Sequence, residues 1–308
     1  MKILRLSYIV FSLLVFLIIT TSYCSAETYE FVLEWGSPGS DTGQFASPRG
    51  MCTDKYGYVY VCDQSNQRVQ KFDSLGNFEM MFGSPGSGNG EFNAPQDVVV
   101  DDFGYIYVTD GFTNRVQKFD SNGNFVLVWG DSGSGPGQFL DCRGIARDSF
   151  NYIYVTDEDN HRIQKFDTQG NFVTQWFSPD SIRWNPISIT VYNINIYSYN
   201  WYPPHNIQKF DTIGNFILEW SSYGIAPEQN MLIGDMATDD SGNVYVTEGW
   251  NDRCQKFDRN GKFITMWGTS GSGPGEFNTP IGIAVDLNSY VYVCDTANVR
   301  IQKFRRIP

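Results

Sequence analysis

Histidine is almost missing from this chain: His161 and His205 are the two in 308 residues. A metal centre built on three histidines is therefore excluded. Cysteine occurs six times but never as a Cys-x-x-Cys pair, which removes zinc ribbons and RING-type zinc modules. Long apolar runs are scarce too. The one present, residues 6–19, follows Lys2 and Arg5 and precedes Cys24-Ser25-Ala26. A basic start, about 14 apolar residues and then small ones is the layout of an export signal, and falls short of the roughly 20 that span a bilayer. Residues 1–26 are read as a signal peptide and 27–308 as the exported domain, with an uncleaved anchor as the alternative. Tyr23 is bulky for the position before a lipidated cysteine, which argues against modification of Cys24.

Positive charge is also in short supply. The chain has 22 Lys and Arg against 34 Asp and Glu, a net charge of −12. Without residues 1–26 it has 20 basic and 34 acidic residues, a net of −14. Such a surface repels phosphate backbones, so no nucleic-acid partner is expected, whereas cations and basic partners suit it. The chain has no Gly-x-Ser-x-Gly elbow, His-Glu-x-x-His helix motif or Gly-Lys-Ser/Thr phosphate loop.

What the chain does have is a repeat. Gln-Lys-Phe starts at Gln70, Gln117, Gln164, Gln208, Gln255 and Gln302, at intervals of 47, 47, 44, 47 and 47 residues. Each unit reads as four short strands, a to d. In the second unit these are 97–101, 105–109, 115–120 and 125–129, with tight turns at 101–104 and 120–123 where Gly supplies a positive φ. The strands are apolar on both sides, as expected of sheets packed between other sheets. Residues 31–36 match strand d, and the last unit stops after strand c at Phe304. The expected fold is an all-β, six-bladed β-propeller with four antiparallel strands per blade. The N-terminal strand completes the C-terminal blade and closes the ring.

The unit Pro-Ile-Gly-Ile-Ala-Val-Asp (280–286), Tyr-Val-Tyr-Val-Cys-Asp (290–295), Asn298 and Arg300-Ile-Gln-Lys-Phe (300–304) resembles the NHL repeat, and Asn160-His161-Arg162 carries the three letters of its name. The resemblance spans residues 29–304. It implies a propeller, but not one activity, since such propellers serve as protein-binding, RNA-binding and catalytic modules. The amidating-lyase branch of that family relies on several channel histidines, which this chain does not match. The RNA-binding branch uses basic faces, contrary to the charge here. The ligase-linked branch carries an N-terminal RING, where this chain has its apolar segment.

Strand order places the d–a links and b–c loops at one end of the ring and the a–b and c–d turns at the other. The first end varies between blades, so a ligand is expected there, near the channel mouth. Each b–c loop opens on Asp63, Asp110, Asp157, Asn200, Glu248 or Asp295, and five blades follow with Arg68, Arg115, Arg162, Arg253 or Arg300. These acids read either as a metal-binding ring or as local partners of those arginines. Early in strand a, Gly50, Gly144 and Gly282 alternate with Asp97, Ser188 and Asp235. Blades 2 and 5 lie opposite, so Asp97 and Asp235 should face each other, with Arg49 and Arg143 on the same rim. Two converging carboxylates are the candidate metal ligands for a channel cation such as Ca²⁺, or they are simply solvated or capped.

Blade 4 departs most from the repeat. Its loop carries Trp201, Tyr202 and His205, Trp250 is expected beside it from blade 5, and Glu158 and His161 from blade 3. Aromatics beside acids suit a sugar, a peptide or a cationic side chain. The alternative is a degenerate blade whose aromatics fill a gap. The ligand-binding candidates are thus Arg49, Asp97, Arg143, Glu158, His161, Trp201, Tyr202, His205, Asp235, Glu248 and Trp250. The expected function is a secreted, non-catalytic scaffold binding an extracellular protein, peptide or glycan, with no established cofactor. The alternative is a metal-assisted lyase or hydrolase at the channel mouth. Cys52, Cys62, Cys254 and Cys294 stand at apolar strand positions and Cys142 in a connecting segment. They read as free structural thiols, with Cys62–Cys294, in neighbouring blades 1 and 6, as the one pairing to check.

Overall fold

Blade 2 shows how the repeat becomes structure. Its strands are Pro95–Val100, Ile106–Asp110, Arg115–Phe119 and Phe125–Trp129, paired antiparallel in chain order. All five residues of strand b are buried because neighbouring blades cover both faces. The turn after strand a is organised by Asp101. One oxygen accepts the Phe103 and Tyr105 N–H groups (2.9 Å each) and the other accepts the Tyr107 hydroxyl at 2.9 Å.

Each residue of Gln-Lys-Phe ties a different neighbour. The Gln117 amide donates to the Glu91 carbonyl at 2.7 Å and accepts from Gly90 N–H at 2.9 Å, fixing the link that enters the blade. Lys118 lies over the rings of Tyr105 and Tyr107 at 4.1 and 5.1 Å and donates to the Thr168 carbonyl in the next blade. Phe119 packs against Phe82 and Phe92, with centroids 4.7 and 5.5 Å away. Most blades repeat these ties, whereas in blade 4 the Gln208 amide donates to Glu219 at 3.1 Å instead.

The computed structural model describes residues 27–179 and 184–307. Residues 1–26, where a signal peptide is expected, lie outside these residues. Six four-stranded sheets form the ring, and the apolar core sits in layers between adjacent blades. Closure is as expected: Thr28–Trp35 pairs antiparallel with Arg300–Ile307, Phe31 opposite Phe304. Tyr29 of this closing strand stacks on Trp267 of blade 5 at 4.2 Å. Among the described residues, no helix is long and apolar enough to cross a membrane.

The acids that open the b–c loops pair with their own arginines. Asp63–Arg68 (2.9 Å), Asp157–Arg162 (2.6 Å), Glu248–Arg253 (2.6 Å) and Asp295–Arg300 (2.8 Å) are ion pairs whose acidic members are fully enclosed. Arg162 also donates to the carbonyls of Ser134, Gly135 and Gln138, so the pair stitches strands b and c to the incoming link. In blade 4 Asn206 bonds Glu219 instead, at 2.7 Å.

Cys52, Cys62, Cys142, Cys254 and Cys294 are free thiols, so Cys62 and Cys294 are not joined. Burial pushes all five thiols up, away from reactivity. Cys142 corrects its expected place. It is not in a connecting segment but is the fully buried first residue of strand a in blade 3, where blades 2 and 6 have Pro95 and Pro280.

Candidate functional site

The innermost strand of every blade lines the channel and carries a register shift near its start, as between Pro48 and Met51 or Pro95 and Val98. Bulges of this kind re-aim side chains, here into the channel. The strands come so close that glycine is required. A Cβ on Gly50 would overlap Asp97, one on Gly282 the Arg49 carbonyl, and one on Gly234 would lie 2.6 Å from the Ile281 Cα.

Asp97 and Asp235 stand at the resulting neck, lining the cavities on both sides of it. Asp97 accepts the Val98 N–H at 2.8 Å and, across the blade boundary, the Ile145 N–H at 3.0 Å. Asp235 accepts the Met236 N–H and the Ser188 hydroxyl, both at 2.8 Å, and the Ile283 N–H at 3.4 Å. Burial, reinforced by the charge of Asp235, pushes Asp97 well above the usual carboxylate range. Burial pushes Asp235 up to about 7 against the pull of its three hydrogen bonds. The two carboxylates line the same two cavities, and their oxygens also tether neighbouring blades.

Above the neck, at the d–a/b–c end, lies a cavity of about 50 Å³. Arg49, Gln96 and Arg143 line one half of its rim, and Ile187, Gly234 and Ile281 the other. Arg143 pairs with Asp141 at 2.9 Å and with Glu158. Burial pushes Glu158 up to about 7 despite that arginine.

A second cluster lies at blades 4 and 5 of the same end. Trp201 and Trp250 meet edge to face at 6.4 Å, and His205 packs on Tyr223 at 5.0 Å. Burial lowers the His205 pKa. Trp250 is 58% exposed, and Tyr202 and Tyr223 are nearly half exposed. Trp184 is different: fully buried and 5.5 Å from Phe210, it takes the core place that Phe45, Phe92, Phe139 and Phe277 hold in other blades. In the link entering blade 5 that place is polar. Asn230, buried, donates to the His205 carbonyl at 3.0 Å. Two candidates join neither cluster. Glu248 is enclosed by Arg253, Asn251 and Gln255. His161 occupies the left-handed corner of its loop (φ 56), with its N–H on the Glu158 carbonyl.

The wider cavity, about 390 Å³, was not anticipated. It opens at the a–b turn end, lined by Thr53, Arg147, Ser149, Tyr192, Asn193 and Asp240 among others. At this end Tyr56, Phe103, Phe150, Ile194 and Leu287 are 60–77% exposed. Large apolar residues inside the a–b turns were the available signal, since such turn positions are normally polar.

A family model described as a 6-bladed beta-propeller matches residues 50–117, 103–224 and 227–305. The chain belongs to that family. Its repeat is of the NHL type: 47 residues are 49% identical to protein lin-41 of Caenorhabditis elegans and 45% identical to the E3 ubiquitin-protein ligase TRIM71 of Rattus norvegicus. Each match covers 15% of this propeller but only 4% and 6% of those proteins. Among solved structures, a streptogramin B lyase superposes with TM-score 0.62 at 15% identity, covering 92% of this chain and 98% of that one. Virginiamycin B lyase from Staphylococcus aureus gives 0.64 at 14%, covering 91% and 100%. A gluconolactonase from Xanthomonas campestris gives 0.63 at 11%, covering 86% and 87%. At these identities the propeller shares their fold.

Proposed function

We propose that this propeller is an exported binding module that takes a protein, peptide or glycan on the aromatic patch of blades 4 and 5. The observation that carries the reading is the departure at Asn230. There the repeat gives up a core aromatic for a buried amide that holds the His205 loop, beside the exposed Trp250. Local rules broken in one blade of six mark the place where function competes with packing. Exposed tryptophan and tyrosine on a braced base offer large contact area at little entropic cost. Screening the mature chain on glycan and peptide arrays tests this. Trp250→Ala and Tyr202→Ala should weaken the selected ligand about tenfold or more. Unchanged binding in both variants would sink the proposal.

A second reading, a metal-assisted lyase or hydrolase, is favoured by Asp97 and Asp235 lining the same cavities at the neck. The donor set fits a cation poorly. Ca²⁺ takes six to eight oxygens, and these carboxylates already accept N–H and O–H donors. No group of three or more His, Cys, Asp or Glu side chains suited to a metal occurs among the described residues. Calorimetric titration with Ca²⁺ separates the readings, because heat lost in Asp97→Asn would restore the second one.

A further inference from the structure

Arg49 stands apart from the five arginines paired in the b–c loops. Among the described residues no carboxylate lies within ion-pair distance of it. One guanidinium nitrogen donates to Gln96 Oε1 at 3.0 Å, an oxygen that also accepts from Gln64 at 3.2 Å. Its Nε is buried without any acceptor. Burial and the neighbouring charge of Arg143 lower its pKa, so the surroundings disfavour the cation that arginine must carry. A half-buried cation facing a like charge, with a donor left over, is an arrangement that folding alone does not favour.

We propose that Arg49, steered by Gln96 and backed by Arg143, binds the carboxylate of an organic acid whose apolar body lies over the Ile187 and Ile281 half of the rim. The cavity of about 50 Å³ admits a headgroup rather than a whole ligand. A planar monoanion matches the guanidinium fork. A phosphate dianion would meet Asp141 and Glu158, which already hold Arg143. At the rim Arg49, Gln96 and Arg143 come from blades 1–3 and Ile187, Gly234 and Ile281 from blades 4–6, with Asp97 and Asp235 at the neck beneath them. This gives such a ligand one orientation, its carboxylate held at the arginine side of the rim. This site is independent of the aromatic patch.

Thermal unfolding of the mature chain tests the proposal, using sodium benzoate, benzyl alcohol, sodium phosphate and sodium chloride at matched ionic strength where charged. Benzoate should raise the midpoint, whereas the uncharged alcohol and chloride should not. Arg49→Gln should weaken benzoate about tenfold or more and Trp250→Ala should leave it unchanged. The ligand-free Arg49→Gln protein should unfold at the same or a higher urea concentration. Benzoate acting no better than chloride, phosphate protecting more strongly, or a lower urea midpoint in Arg49→Gln would each overturn it.

Discussion

Asp235 illustrates how far a side chain's chemistry moves once strands close around it. Its carboxyl is raised from an ordinary 3.8 to about 7 by burial. The folded protein therefore binds a proton that the unfolded chain releases as pH climbs through 4. Stability from this group is complete below pH 4 and is lost as pH rises towards 7. Asp97, raised in the same direction, adds to the slope. Asp73 and Asp211, lowered by their turn hydrogen bonds, act the other way and lose their contribution as pH falls. Asp235→Asn should show a shallower decline in urea midpoint between pH 4 and 7 than the parent protein. Equal slopes would mean that Asp235 titrates normally. The spacing of the repeat put this aspartate opposite Asp97, but its proton affinity depends on neighbours from blades 4 and 6.

Within one blade the deciding unit is the b–c strand pair with its buried arginine. Arg162 is 3% exposed as a side chain and Asp157 not at all. Removing one partner leaves an uncompensated buried charge, so Arg162→Ala should cost about 3–5 kcal/mol. Replacing the exposed Lys55 with alanine should stay within about 0.5 kcal/mol. Urea unfolding of both variants checks the contrast, and a loss below 1 kcal/mol for Arg162→Ala would contradict the stitching role. Both possible roles of these acids were visible from Asp-x-x-x-x-Arg spacing. The structure decided between them, because the carbonyls that complete Arg162 come from residues 134–138, more than 20 positions upstream.

For the whole molecule, one strand holds the ring shut. Without Thr28–Trp35, the Arg300–Ile307 strand loses its only partner on that side and presents an open edge. A protein of residues 36–308 should show concentration-dependent association in light scattering, where one of residues 27–308 should not. A peptide of residues 27–36 added in trans should return the protein to a monomer. A truncated chain that stays monomeric at all concentrations would mean that blade packing alone seals the ring. The same closure fixes the channel: six inner strands meet at a glycine-lined neck, with a narrow mouth at one end and a wider cavity at the other.

Taken alone, the sequence determined the blade count, the strand order, the turns and the closing strand. All of these are written in local patterns that repeat every 44 to 47 residues. It also pointed to Arg49, Asp97, Arg143 and Asp235 as one group, through adjacent positions at the start of strand a. Three things belonged to the tertiary structure. Glu248 is enclosed, Arg49 has no acid in ion-pair distance among the described residues, and the larger cavity opens at the uniform end rather than the variable one. The first depends on side chains of one blade folding onto each other, and the other two on distances between blades, which are set by how tightly six sheets pack around one axis.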